Sequence, residues 1–136
     1  MSIVDILNRG IEFTNSDEAA REMLADFTDH KVGMKIGEEE MTLVVKDSVV
    51  ALEPGIREDC HAVMGLSPEN LCGAVDDSYD LMEIKDKGEI LKGDAKDPAI
   101  AVHFMATFPF FDAMVRLYQE DEAFEKQVRD LKSSLQ

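Results

Sequence analysis

The chain has 136 residues, 45% hydrophobic and 32% charged, enough for one globular domain whose core needs no metal or disulfide staple. Its 14 Lys and Arg against 29 Asp and Glu leave a net charge of −15, which argues against nucleic acid and against electrostatic docking on anionic lipid. Two cysteines, Cys60 and Cys72, are too few for a disulfide scaffold and point to a reducing cytoplasm.

At the N-terminus, Met1–Asp5 lacks a basic region and a long apolar stretch, so no signal peptide is expected. Ser2 and Asp5 form a capping-box pattern, and Ile3, Leu7 and Ile11 follow at helical spacing. Gly10 weakens that helix. A second helix is expected to start at Asn15 as cap, with Glu18 three residues on and a stripe of Ala19, Ala20, Met23, Leu24 and Phe27.

The period then falls from 3.6 to 2. Val32, Met34 and Ile36 alternate in one strand, Met41, Leu43 and Val45 in a second, and Val49 to Leu52 form a third. The links between them, Gly37–Glu40 and Lys46–Ser48, are hairpin-sized, so the three strands form an antiparallel meander. Pro54-Gly55 ends it in a type II turn. A fourth strand is expected from about Asp59 to Leu66, with Cys60, Ala62, Met64 and Leu66 on one face. Ser67 and Pro68 open a helix as N-cap and first residue, with Leu71, Cys72 and Val75 behind them. Tyr79, Leu81, Met82 and Ile84 mark another helical piece, closed by Gly88. A short strand, Glu89–Gly93, comes next. Asp97-Pro98 starts a further helix with Ile100, Phe104 and Phe108, and Pro109 breaks or kinks the pattern. No apolar run approaches the roughly 18 residues of a membrane span. Strands in the middle and helices bunched around them indicate the α+β class, with a mostly antiparallel sheet.

Catalytic and metal patterns are missing. Gly65 to Glu69 imitates a nucleophile elbow, but Glu69 stands where the second Gly belongs, and Ser67 is better explained as an N-cap. Cys60 and His61 are neighbours on an expected strand and so face opposite ways. His103 has Ala99 and Thr107 at its i±4 positions, and His30 reads as a surface residue; the three histidines are expected to be isolated. No catalytic residue, metal or cofactor is assigned, and the chain is not expected to be an enzyme.

What stands out is an aromatic segment. Four of the seven Phe fall between Phe104 and Phe111, and Met105, Met114, Val115, Leu117 and Tyr118 extend it. Ile100, Phe104, Phe108, Phe111 and Val115 make one stripe; Met105, Phe110 and Met114 lie off it. A two-layer domain buries one face per helix, so the surplus needs another helix, a partner or an apolar ligand. Phe124, Val128, Leu131 and Leu135 give the last helix an apolar face suited to lidding the Phe cluster, dimerising, touching a membrane or simply packing.

From Lys31 to about Tyr118 the chain resembles an SCP2 domain, the sterol-carrier-protein-2-like lipid-binding fold. The resemblance rests on the meander ending in Pro54-Gly55, on Ala62-Val63-Met64-Gly65-Leu66-Ser67-Pro68-Glu69-Asn70-Leu71, and on Glu89-Ile90-Leu91-Lys92-Gly93-Asp94; the first family glycine of that strand is missing unless Gly88 fills it. It frames residues 1–136 as a single domain: N-terminal helices over 1–30, the family core over 31–118, and a C-terminal amphipathic helix over 119–136. The ending Ser134-Leu135-Gln136 differs from the S-K-L-like tripeptide of peroxisomal members, which fits a cytoplasmic protein.

The resemblance implies a two-layer α+β fold: a five-stranded sheet with helices on one face and an apolar tunnel between them. The tunnel wall would come from Met64, Leu66, Leu71, Val75, Leu81, Met82, Phe104, Met105, Phe108 and Phe111. It implies non-catalytic binding and transfer of a fatty acid, acyl thioester, isoprenoid or sterol-like lipid, with Tyr118, His103 and Lys92 open as head-group anchors. The family also includes accessory proteins of quinone synthesis. The alternative is therefore an accessory subunit that uses the same apolar surface as an interface, in a homodimer or with an enzyme partner.

Overall fold

The computed structural model describes residues 3–78, 80, 83, 87–94 and 96–135. Helix α1 (Ile3–Ser16) runs through Gly10 without a break and buries Ile6, Leu7, Gly10 and Thr14. Gly10 is there for a close approach: a Cβ would stand 2.6 Å from Met114 Cγ and 3.0 Å from Phe110. Asp17, not Asn15, caps α2 (Glu18–Leu24), its carboxylate accepting from the Ala20 N–H at 2.9 Å. Asn15 is instead the last-turn residue that ties α1 to the sheet. Ser2, half of the expected capping box, lies outside the described residues.

The meander forms as expected. Strands β1 (Lys31–Ile36), β2 (Glu39–Lys46) and β3 (Val49–Pro54) pair antiparallel. Asp47 and Ser48 both take positive φ, 53° and 65°, as a two-residue hairpin of this twist demands. Gly55 has φ 77°, the conformation required at the third position of a type II turn. Thr42, buried in β2, donates to Gly55 O and accepts from the Arg57 N–H, holding that turn against the sheet.

Strand β4 (Val63–Leu66) is shorter than the expected 59–66. Residues 57–60 turn instead, where Asp59 binds Arg57 at 3.0 Å and Lys31 at 2.9 Å. β4 lies parallel to β1, with Met34 beside Met64 and Ile36 beside Leu66. β5 (Glu89–Lys92) pairs antiparallel with β4 across a register shift at Val63/Met64, giving a sheet in the order β3-β2-β1-β4-β5. One parallel pair among antiparallel ones makes it the mostly antiparallel sheet of the α+β class.

After β4 come α3 (Pro68–Val75), capped by Ser67, then α4 (Pro98–Met105), α5 (Phe108–Glu120) and α6 (Glu122–Ser134). By length and composition alone Pro98–Glu120 would be long and apolar enough to cross a membrane, but it is not one unbroken span. A turn at Ala106-Thr107 divides it, and Pro109 sits in the first turn of the second half. The buried stripe of α5 is Phe110, Phe111, Met114 and Leu117, while Phe108 and Val115, expected on the stripe, are only half-buried. These side chains join Ile6, Leu7 and Leu24 from the N-terminal helices and Val32, Met34, Ile36 and Leu43 from the sheet in one core. α6 packs across α3 and α5 through Phe124, Val128 and Leu131, which is plain packing among the options left open for it.

Candidate functional site

α4 is the anomaly of the structure. Seven of its eight residues, Pro98, Ala99, Ile100, Ala101, Val102, Phe104 and Met105, are apolar, yet none of the eight is buried. Asp97 caps it and Pro98 starts it, so local sequence sets the helix without help from a core. Its position follows from two contacts. At its start, Ile100 reaches Gly93, just past β5, where a Cβ would lie 2.9 Å from the Ile100 side chain. Near its end, His103 meets His30, which precedes β1, and His61, which precedes β4. α4 therefore crosses the end of the sheet where β1 and β4 begin and β5 finishes. Met105 (47% exposed) on α4 and Ile90 (42%) and Leu91 (45%) on β5 add large apolar surface open to solvent.

The expected site residues divide into groups. Met64, Leu66, Leu71, Val75 and Phe111 are brought together as buried members of the core, and Phe104 packs against it partly exposed. Phe108 is half-buried and Met105 exposed. Leu81 and Met82 lie outside the described residues. At the other end of β4, Leu66 and Leu91 line an open cleft of about 520 Å³ together with Gly37, Gly65, Ser67 and Gly88. Lys35, Lys87 and Glu89 also border this cleft.

The histidines are not isolated. His30 and His103 bring their Nδ1 atoms to 3.1 Å with rings 4.7 Å apart and nearly perpendicular, and the His61 ring lies 5.8 Å from that of His103. Burial, then the neighbouring His30, His61 and Lys31, hold the His103 pKa below its ordinary value. No local sequence signal marks this meeting: it follows from the parallel pairing of β1 with β4, which brings the residues preceding the two strands to one end of the sheet. Among the described residues no group of three or more His, Cys, Asp or Glu is arranged to hold a metal ion. Cys60 and Cys72 are both buried free thiols.

No protein-family model matches the sequence, and no curated protein matches it. Solved structures do. The chain is similar to a conserved hypothetical protein of Thermus thermophilus, described as a candidate sterol carrier protein, with TM-score 0.58 and 12% identity over 83% of this chain and 86% of that one. It is similar to a crystal structure of sterol carrier protein 2, with TM-score 0.58 and 13% identity over 82% and 94%. The chain has the SCP2-like fold. A UbiJ-SCP2 ubiquinone synthesis protein is also similar, with TM-score 0.52 and 14% identity over 76% and 93%. The SCP2-like fold thus spans more of the chain than the segment Lys31 to Tyr118 that carried the resemblance.

Proposed function

We propose that this SCP2-like chain is a non-catalytic, cytoplasmic carrier that binds and transfers an apolar ligand: a fatty acid, acyl thioester, isoprenoid or sterol-like lipid. The ligand occupies a tunnel between the sheet and the helices, beneath α4. The observation that carries the reading is α4 itself, an apolar helix with no buried residue and with Met105 47% exposed. Apolar surface left in water forgoes about 25 cal/mol per Å², and a lipid chain covering it gains about 0.8 kcal/mol per buried CH₂. Phe104, packed on the core from α4, and half-buried Phe108 stand where such a chain passes from core to surface. Of the candidate anchors, Tyr118 accepts from Arg129 and His103 is paired with His30, which leaves exposed Lys92 for an acidic head group.

The test is solvent extraction of natively purified protein with mass spectrometry of the extract, alongside Phe104→Asp and Phe108→Asp. A lipid near one per protein, lost from folded variants, supports the carrier. An empty protein that also fails to take up a fluorescent fatty acid overturns it. The exposed apolar side chains of Ile90, Leu91 and Met105 favour a second reading, an accessory subunit docking an enzyme or a second copy. Co-purification of a stoichiometric partner that protects these residues from labelling is its expected result.

A further inference from the structure

α4 lies on the sheet end through a hydrogen bond between two imidazoles. His103, in its last turn, and His30, entering β1, stand 3.1 Å apart through their Nδ1 atoms. Such a bond needs one ring to donate and the other to accept, so at least one of the two must be neutral. A second proton makes both nitrogens donors and sets two positive charges in contact. Among the described residues the charged and titratable groups acting on His103, namely His30, His61 and Lys31, oppose that proton. Lys31 is on β1 and His61 precedes β4. The Asp59 carboxylate is taken up by Lys31 and Arg57, and Asp29, next to His30 in the chain, is exposed. On α4 itself, the Asp97 carboxylate is a helical cap at the far end. Among the described residues the helix's other contacts are light: Ile100 and Phe104 rest only partly buried against the core.

We propose that the His30–His103 pair is an acid-sensitive latch on α4. With at most one proton on the pair the helix is held across the sheet end; in mild acid the pair separates, α4 lifts, and the apolar surface beneath it opens for ligand exchange. The ligand part rests on the carrier reading above; the latch does not.

The pH window follows from His103. Its folded value lies below its ordinary 6.5, because burial and then His30, His61 and Lys31 disfavour the charged form. The unfolded or lifted state therefore binds the proton more readily. The holding contribution is full above the ordinary value, declines as pH falls below it, and levels off beneath the depressed folded value.

The test is hydrogen exchange on the full chain at about pH 7.5 and about pH 5.5, with rates corrected for intrinsic chemistry. The expected result is that protection over Pro98–Met105 falls in acid, by at most about tenfold for one imidazole of ordinary pKa, while α5 and α6 keep theirs. His103→Gln, at a position that is not buried, folds and shows the same α4 protection at both pH values. Unchanged α4 protection in the wild type, or a His103→Gln variant that still loses protection in acid, overturns the latch. Release of a fluorescent 16-carbon fatty acid is followed in the same samples. A helix that loosens in a protein that takes up no fatty acid sinks the carrier and leaves the latch standing. Uptake with a helix that never loosens sinks the latch and leaves the carrier.

Discussion

Asn15 and Val50 exchange two hydrogen bonds: Asn15 Nδ2 donates to Val50 O at 2.9 Å, and the Val50 N–H donates to Asn15 Oδ1 at 2.7 Å. β3 is an edge strand, and the side-chain amide does there what a further strand would do. Removing it leaves both backbone groups to water. Asn15→Ala is expected to lower stability by about 1–3 kcal/mol in urea unfolding. Asn15→Asp keeps the acceptor and loses the donor, so it should fall between the two. Equal stability of all three proteins would mean that the pair contributes nothing.

Gly10 marks the closest approach of α1 to α5. Its missing Cβ is replaced by Met114, whose Cγ and Sδ would lie 2.6 and 2.7 Å from an added methyl. Ala raises helix propensity by about 1 kcal/mol but overpacks a fully buried neighbour at about 1–3 kcal/mol. Gly10→Ala is therefore expected to destabilise by about 1 kcal/mol. In a double-mutant cycle Met114→Ala should absorb the methyl, so that the two changes together cost less than their sum. Strict additivity would show that the helices adjust without strain.

How far the sequence reaches is shown by particular residues. Val32, Met34, Ile36, Met41, Leu43 and Val45 declare a half-buried meander through period 2 alone, and each is buried as read. Ser67 and Asp97 announce their helices because a cap is a local interaction. What failed was set at a distance. The end of β4 depends on Asp59 meeting Lys31, which is remote in the chain. The meeting of His30, His61 and His103 depends on the parallel register of β1 and β4. α5 starts anew after Ala106-Thr107, which periodicity carried straight through Pro109 misses. Five of the ten expected wall residues entered one core because apolar type suffices for burial. Type alone left open that Met105 stays outside.

Asp76 closes α3 and receives Lys132 Nζ from α6 at 2.7 Å, with Ser78 bonded to its other oxygen. Burial pushes its pKa up, but the hydrogen bonds from Lys132 and Ser78 outweigh that and hold it below the ordinary 3.8. A depressed folded value means stability that is present above pH 3.8 and lost as pH falls through the folded value. Asp76→Asn should thus be less stable than wild type at neutral pH, and the gap should close below about pH 4. A gap that stays constant to pH 2 would detach Asp76 from the acid limb.

On the same helix, burial first and then the Asp76 charge push the Cys72 thiol up to about 11. The thiolate is the reactive form, and the side chain is 1% exposed. Iodoacetamide at about pH 8 is expected to spare Cys72 in the native protein and to label it at once in denaturant. Peptide mapping reads this directly, and native labelling of Cys72 would indicate that α3 and α6 part more easily than their packing implies.

The contrast between the two halves of Pro98–Glu120 can be measured as stability. Phe111 is fully buried on α5, and truncating such a residue leaves a cavity among well-packed neighbours. Phe111→Ala should cost about 3–5 kcal/mol. Met105, 47% exposed on α4, fills no such space, so Met105→Ser should stay within about 0.5 kcal/mol of wild type in empty protein. If a lipid spans α4, as proposed, Met105→Ser gains a cost that appears only in lipid-loaded protein, because ligand bound to the native state adds stability in proportion to its affinity. Comparing delipidated and loaded samples by thermal unfolding separates an apolar helix face that serves a ligand from one that serves only the fold. The ligand reading requires the two variants to respond differently: Phe111→Ala weak in both samples, Met105→Ser weak only in the loaded one.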